Sequence, residues 1–353
     1  MIKILISDVV AVFATLYCIW LLKPLAMRVG FVDRPGGRKQ HQREVPLIGG
    51  IAIFFGFCFA LLLLPISLHH YRGLIAGASL LMLIGIVDDF RELGWKLRLC
   101  GQILAALVLI LWGHHRVINL GDIWFIGEVH LGIWSIPFST VAIVGFLNAM
   151  NMIDGQDGLF GGVVLGQVLL LIFLSLYWNQ FDADLLIVLA LSILVFLIFN
   201  MPSPWLPSAS IFIGNSGSTV IAFIVAWFAI TIGQRHLDSV KPITILWILS
   251  FPVFDFLNVF FHRLLTGRSP FRAGRDHFHH ILDILGFDVT ISTFLLCLFS
   301  LSLGLIGVLF NLLLVDQSWQ FLIWLTMTVG YFLFVKLVRK QQTLAYEVSK
   351  ISC

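Results

Sequence analysis

The chain has 353 residues, of which 59% are hydrophobic and only 12% charged, and its mean hydropathy is +0.99. That composition excludes an ordinary water-soluble globule. A net charge of +3 spread over loops gives no case for nucleic acid, and the five cysteines form no C-x-x-C pair that would imply a disulfide framework.

Apolar runs recur along nearly the whole length, so the expectation is one all-α polytopic membrane domain covering 1–353. Eleven spans are placed near 4–22, 47–66, 73–87, 99–113, 136–150, 158–178, 185–200, 217–233, 242–261, 289–314 and 319–337. The first has no convincing small-residue cleavage site, so a retained anchor helix is expected there. Between the fourth and fifth spans, 116–134 alternates around Gly121, Gly127 and Gly132, which predicts a small exposed β-hairpin outside the cytoplasm. Lysine and arginine set the orientation: seventeen fall on the side of loops 23–43, 91–98 and 263–275 and the C-terminal tail, against five on the other. The positive-inside rule then puts the N-terminus outside and the C-terminus in the cytoplasm.

Three clusters of ionisable groups stand at the ends of these spans, and all fall on the cytoplasmic side. They are Asp88-Asp89, then Asp154 and Asp157, then Asp276, His277, His279 and His280. A carboxylate at membrane depth costs about 2.5–3.5 kcal/mol on insertion scales, so such groups usually mark function. The first cytoplasmic loop, 28–50, is rich in cations, glycine and proline. It suits polyanions, or serves only as a positive-inside anchor. Asp88 and Asp89 end the third span, where adjacent helical residues point roughly 100° apart. They can act as magnesium ligand and base, or be a solvated helix end.

The segment FLNAMNMIDGQDGLFGG is more specific. Asn148, Asn151, Asp154 and Asp157 follow at i+3 spacing, which predicts one polar stripe on a helical turn. A stripe this dense between two apolar spans has poor structural justification. The turn Gly214-Asn215-Ser216-Gly217 precedes the eighth span, and a helix N-terminus there is an anion site in principle, though any loop-to-helix junction looks the same. The last cytoplasmic loop, HRLLTGRSPFRAGRDHFHHIL, holds four arginines and four histidines. Its H-x-H-H spacing lacks a zinc partner set, which favours phosphate contact over a metal site.

In order and spacing, the paired aspartates, NAMNMIDGQDGL, GNSGS and the arginine-rich histidine loop resemble the polyprenyl-phosphate N-acetylhexosamine-1-phosphate transferases. The resemblance covers nearly the whole chain. RKQHQREVPLIGG and GRSPFRAGRDHFHHIL are more similar to the branch that transfers N-acetylglucosamine 1-phosphate than to the muramoyl-pentapeptide branch. It implies a bacterial cytoplasmic-membrane enzyme that moves a sugar 1-phosphate from a UDP-sugar to undecaprenyl phosphate, releasing UMP at the cytoplasmic face. N-acetylglucosamine is the first choice of sugar, and Mg²⁺ (or Mn²⁺) the implied cofactor.

The same resemblance assigns Asp88, Asp89, Asp154 and Asp157 to catalysis, with Asp88, Asp89, Asp154 and Asn215 at the metal. Asn148, Asn151, Arg263, Arg272, Arg275, His277, His279 and His280 then contact substrate. Two departures stand out. Asn215 occupies the place where the family carries a metal-binding aspartate, and Arg91 and Glu92 stand where a third acidic residue often follows the pair. Two rival readings are a non-catalytic relative that binds polyprenyl phosphate and a secondary transporter. Against the transporter, the charges gather at span ends rather than at the midplane, and no internal repeat is visible.

Overall fold

The computed structural model describes residues 2–35, 43–178, 183–235, 237, 239–267, 269 and 277–351, with side chains left out at 279, 283–284 and 342–351. Of the sequence-derived site residues, Arg272, Arg275 and Asp276 lie outside the described residues, as does the side chain of His279.

The fold is a bundle of helices. In chain order these are α1 (Ile2–Val29), α2 (Gly49–Leu63), α3 (Arg72–Arg91), α4 (Trp95–Leu107), α5 (Ser135–Ile153), α6 (Leu159–Tyr177), α7 (Ala183–Asn200), α8 (Gly214–Arg235), α9 (Pro242–Ile248), α10 (Ser250–Leu265), α11 (Phe278–Ile284), α12 (Val289–Leu312) and α13 (Gln317–Ile351). Such apolar sequences form helices in a bilayer because only a helix or a closed barrel satisfies every backbone group there. Helix α8 is the hub. It is buried along almost its whole length and packs against α2, α3, α5, α6 and α9. The outermost helices instead expose large apolar side chains, such as Phe13 and Trp20 on α1 and Leu333 on α13, as a lipid-facing surface requires.

Small residues let the hub helices touch. A Cβ on Gly50 of α2 would lie 1.9 Å from Gly217 Cα, and one on Gly85 of α3 would lie 2.3 Å from Ser216 Cα. Backbone contact of this kind is the usual device of membrane helix packing. Here it presses the C-terminal turn of α3 against the N-terminus of α8, which is where the polar residues collect.

Among the described residues, nine helices are long and apolar enough to cross a membrane, or ten if α9 and α10 count as one span. Eleven spans were expected. The difference lies in α2, which has 15 residues, and in the α9–α10 pair, which bends by 76°. Pro252, in the first turn of α10, has no N–H to offer the carbonyl of Ile248, so a continuous helix breaks at that point.

The expected hairpin at 116–134 takes a looser form. Its limbs are joined by backbone bonds from Leu120 N to Val129 O (3.0 Å), Val129 N to Gly121 O (3.1 Å) and Leu131 N to Ile118 O (2.9 Å). They form an isolated antiparallel bridge, Asn119–His130, and no regular strand. A two-stranded ladder that was not expected pairs β1 (Val32–Asp33) with β2 (Val45–Pro46). The segment before α8 hangs on it, with Phe212 N donating to Pro46 O (2.9 Å) and Gly49 N to Phe212 O (2.9 Å).

Candidate active site

Asp88 and Asp89 occupy the last turn of α3 and point in different directions, as adjacent helical residues must. Asp88 is 3% exposed. Its Oδ1 accepts the backbone N–H of Leu93 at 2.7 Å, and its Oδ2 lies 3.4 Å from the Arg98 guanidinium on α4. The helix stops because Glu92 adopts the left-handed conformation (φ 47°), which sends the chain back so that Leu93 can make this bond.

Asp89 faces α8. Its carboxylate accepts Asn215 N (2.8 Å), Ser216 N (3.1 Å) and Ser216 Oγ (2.7 Å). A full negative charge therefore sits on the free N–H groups of a 22-residue helix, where the helix dipole favours it. Gly214 is required by this arrangement. Its φ is +75°, and a Cβ there would come within 2.7 Å of Asp89 Oδ2.

Helix α5 brings in two amides. Asn148 Nδ2 donates to Gln102 Oε1 (2.8 Å), and Asn151 Nδ2 donates to Ser218 Oγ (2.8 Å) and to Asn215 Oδ1 (3.2 Å). The expected helical stripe ends here. Helix α5 terminates at Ile153, Asp154 takes a non-helical conformation (ψ 62°), and Gly158 (φ 78°) turns the chain into α6. Asp154 and Asp157 are thus turn residues rather than further members of the stripe.

Asp157 is tied to neighbouring backbone. Its Oδ2 accepts Ala209 N (2.8 Å), and its carbonyl accepts Thr293 Oγ1 (3.0 Å). Partly buried Asp154 has its carboxyl pushed up to about 8, chiefly by burial and then by the negative charges of Asp89, Asp157 and Asp33.

The third cluster comes from α10 and α11. Arg263 is buried, and His277 lies just before α11 with Nδ1 2.8 Å from Asp255 Oδ2. Arg263, His277 and His280 line a cavity of about 310 Å³ together with Asp88 and Arg98, and the amides Gln102, Asn148, Asn151 and Asn215 and the hydroxyl of Thr219 add to its polar wall. One space thus gathers residues from α3, α4, α5, α8, α10 and the start of α11. Among the carboxylates proposed from sequence, Asp88 borders it directly. Asp89 stands behind Asn215, while Asp154 and Asp157 sit on the turn following α5.

Sequence reasoning missed Arg98, Gln102 and Asp255. Arg98 enters the sequence analysis only as an orienting charge, and its contact with Asp88 depends on the chain reversal at Glu92. Gln102 and Asp255 are lone polar residues inside apolar runs, and that alone could have flagged them.

Mixed charge suits the cavity to phosphates, with guanidinium and imidazole groups on one part of the wall and amides with a carboxylate on another. Among the described residues no three acidic, histidine or cysteine side chains converge as a ready metal-ligand set. Magnesium needs fewer, since it usually keeps several waters and takes one or two carboxylates plus substrate phosphate. Asp88, Asp89, Asp154 and Asn215 offer oxygen donors, and the crowding of Asp89, Asp157 and Asp33 around Asp154 is an excess of negative charge that a divalent cation would relieve. The residues fit such an ion.

The model of glycosyl transferase family 4 matches residues 71–233, from the start of α3 to the end of α8. Proteins named undecaprenyl-phosphate alpha-N-acetylglucosaminyl 1-phosphate transferase are similar over most of the length. The one from Yersinia pestis is 31% identical over 308 residues (86% of this chain, 83% of the relative). The one from Haemophilus influenzae is 31% identical over 332 residues (94% and 91%), and that of Escherichia coli K12 is 29% identical over 355 (98% and 94%). With paired aspartates, the Asp154–Gly158 turn and the α8 N-terminus gathered at one end of an apolar bundle, the chain belongs to glycosyl transferase family 4.

Proposed function

We propose that this protein transfers N-acetylglucosamine 1-phosphate from its UDP-sugar to undecaprenyl phosphate and releases UMP, working at the cytoplasmic face of a bacterial inner membrane. The observation that carries the reading is the cavity itself. Carboxylate, amide, guanidinium and imidazole groups from six elements meet at one end of a bundle whose outer surface is apolar. A substrate with a charged head and a long hydrocarbon tail is served by that combination. The relatives' names supply the sugar and the lipid. The cytoplasmic placement rests on the seventeen-to-five division of cations, because two of the seventeen, Arg98 and Arg263, line the cavity.

The reaction joins two anions, so its main obstacle is repulsion between the lipid phosphate and the diphosphate of the nucleotide sugar. Arg98 and Arg263 offset that repulsion, and they and the neighbouring histidines can hydrogen-bond phosphate oxygens. Asn148 and Asn151 orient neutral groups of the donor. Asp88, held by Leu93 N and Arg98, keeps a fixed negative charge beside them. Asp88, Asp89 and Asp154, with the amide oxygen of Asn215, would hold Mg²⁺. When bound, the ion supplies charge neutralisation on the diphosphate and on the departing UMP.

Purified protein should be incubated with undecaprenyl phosphate, magnesium and a panel of radiolabelled UDP-sugars. Label from UDP-N-acetylglucosamine is expected in the lipid fraction, with stoichiometric UMP. Failure of every sugar to label the lipid would reject the catalytic reading, and labelling by another N-acetylhexosamine alone would reject the choice of sugar.

A further inference from the structure

Asp255 does not border the cavity, yet it is 1% exposed on the apolar helix α10 and touches a residue that does. Its two oxygens are used differently. Oδ1 accepts two donors, Phe278 N at 3.1 Å and the Tyr331 hydroxyl at 3.0 Å. Oδ2 lies 2.8 Å from His277 Nδ1. An ionised carboxylate only accepts hydrogen bonds, so the proton of this contact belongs to Nδ1. The lone pair or second N–H of the ring then sits at Nε2, and the ring forms part of the cavity wall.

We propose that Asp255 is a positioning residue for phosphoryl transfer, fixing the Nδ1–H form of His277 so that Nε2 serves the phosphate in the cavity. The inference rests on the transferase reading for its substrate, and on geometry alone for the tautomer. Its parts come from three elements. Asp255 belongs to α10, His277 to the entry of α11, and Tyr331 to α13. Tyr331 and Phe278 N saturate one oxygen and thereby aim the other at the ring. The arrangement follows a general rule for functional imidazoles, in which the partner of one nitrogen decides what the other can do.

This division of labour makes Asp255→Asn a selective perturbation. Because Oδ1 must go on accepting from Phe278 N and Tyr331, the asparagine oxygen has to take that place. Its NH₂ group then faces His277 Nδ1 and donates to it, which forces the proton onto Nε2. Shape and burial are kept while the tautomer is reversed.

Two measurements test this. In ¹⁵N-histidine-labelled wild-type protein, with the His277 signal identified by its loss in His277→Gln, the Nδ1–H signature is expected, and an Nε2–H signature with Nδ1 unprotonated would overturn the proposal without reference to activity. In the transfer assay, Asp255→Asn is expected to lower kcat at least tenfold with the KM for UDP-sugar changed less than threefold, and to cost less than twofold more when added to His277→Gln. A wild-type kcat in Asp255→Asn, or full losses that multiply in the double variant, would show that Asp255 does not act through His277. Should Asp255→Asn fail to fold, the wild-type spectrum still decides the tautomer. If wild-type protein shows no transfer while the Nδ1–H signature is present, the transferase reading fails and the geometry stands.

Discussion

Asp89 offers two roles that one substitution can separate. Its carboxylate accepts three hydrogen bonds from the first residues of α8, so it secures the hub helix as well as contributing charge at the site. In Asp89→Asn a single oxygen remains, and it can serve either Asn215 N or Ser216 N. The amide NH₂ must then face the other donor. The Ser216 hydroxyl can rotate to accept from it, but one backbone N–H stays unsatisfied. A buried donor without a partner costs about 1–3 kcal/mol, and losing a full charge at a helix N-terminus adds about 0.3–1 kcal/mol. The expected loss is thus about 1–4 kcal/mol, which lowers the thermal midpoint of the detergent-solubilised protein by several degrees. Turnover per folded molecule should fall about a hundredfold, as when other charge-stabilising groups are removed. Thermal unfolding followed by size-exclusion fluorescence gives the first quantity, and labelled lipid product per folded protein the second. An unchanged midpoint would refute the capping geometry. Near-normal turnover per folded molecule would reduce Asp89 to a helix cap and remove it from the reaction.

Asp154→Asn should also lower turnover about a hundredfold, and lipid product from this variant at wild-type rate would dismiss its role. The raised Asp154 carboxyl fixes a pH trend. The folded chain keeps a proton up to about pH 8 that the unfolded chain releases above about pH 4, so stability from this group is full at low pH and is lost as pH rises through 8. Melting in chelator should therefore drop between pH 6 and pH 8, and magnesium should restore more of it at the higher pH; a flat profile in wild type and Asp154→Asn alike would contradict this. Asn215→Asp restores the family's charge beside the carboxylates and should lower the half-saturating magnesium concentration about tenfold, or about 1.4 kcal/mol, and an unchanged titration would mean that residue 215 does not touch the ion. Cysteine labelling from either side should find 28–35 and 263–267 cytoplasmic and 114–134 outside, and the reverse would overturn the orientation.

The sequence carried the helices well because a bilayer leaves the chain few alternatives. Each of the eleven apolar runs became a helix or a bent pair of helices. Apolarity alone gave no warning that α2 is short or that α9 and α10 diverge, although Pro252 was visible as a break. The polar stripe in α5 was legible as far as Asn151. Periodicity then overreached, because Gly155 and Gly158 permit a turn that pattern counting does not see. Asp88 was identified as a candidate and lines the cavity. The partners of Asp89 and Asp157 lie far along the chain, Ser216 127 residues from Asp89 and Ala209 52 from Asp157, and no local pattern encodes them. Asp255 shows the remaining limit. A single carboxylate in an apolar helix is a strong signal of a polar partner, but only the fold reveals that the partner is His277.

The neutral residue at position 215 acquires a physical context from these contacts. Its backbone N–H is bound by Asp89, a contact any residue could make, so the helix start does not depend on its side chain. Its amide oxygen accepts from Asn151, and its side chain lies on the cavity wall beside Asp88. A carboxylate here could accept the same bond. It would also add a negative group near Asp88 and Asp89, beside an Asp154 that already holds its proton up to about pH 8, and the folded chain would bear that repulsion whenever no cation was present. With Mg²⁺ held as proposed, the amide would trade strength of cation binding for a smaller electrostatic penalty in the cation-free chain. Both consequences share one cause, the charge at position 215. Asn215→Asp should accordingly weaken the chelator-treated protein while tightening its hold on magnesium, and the two effects should have opposite signs.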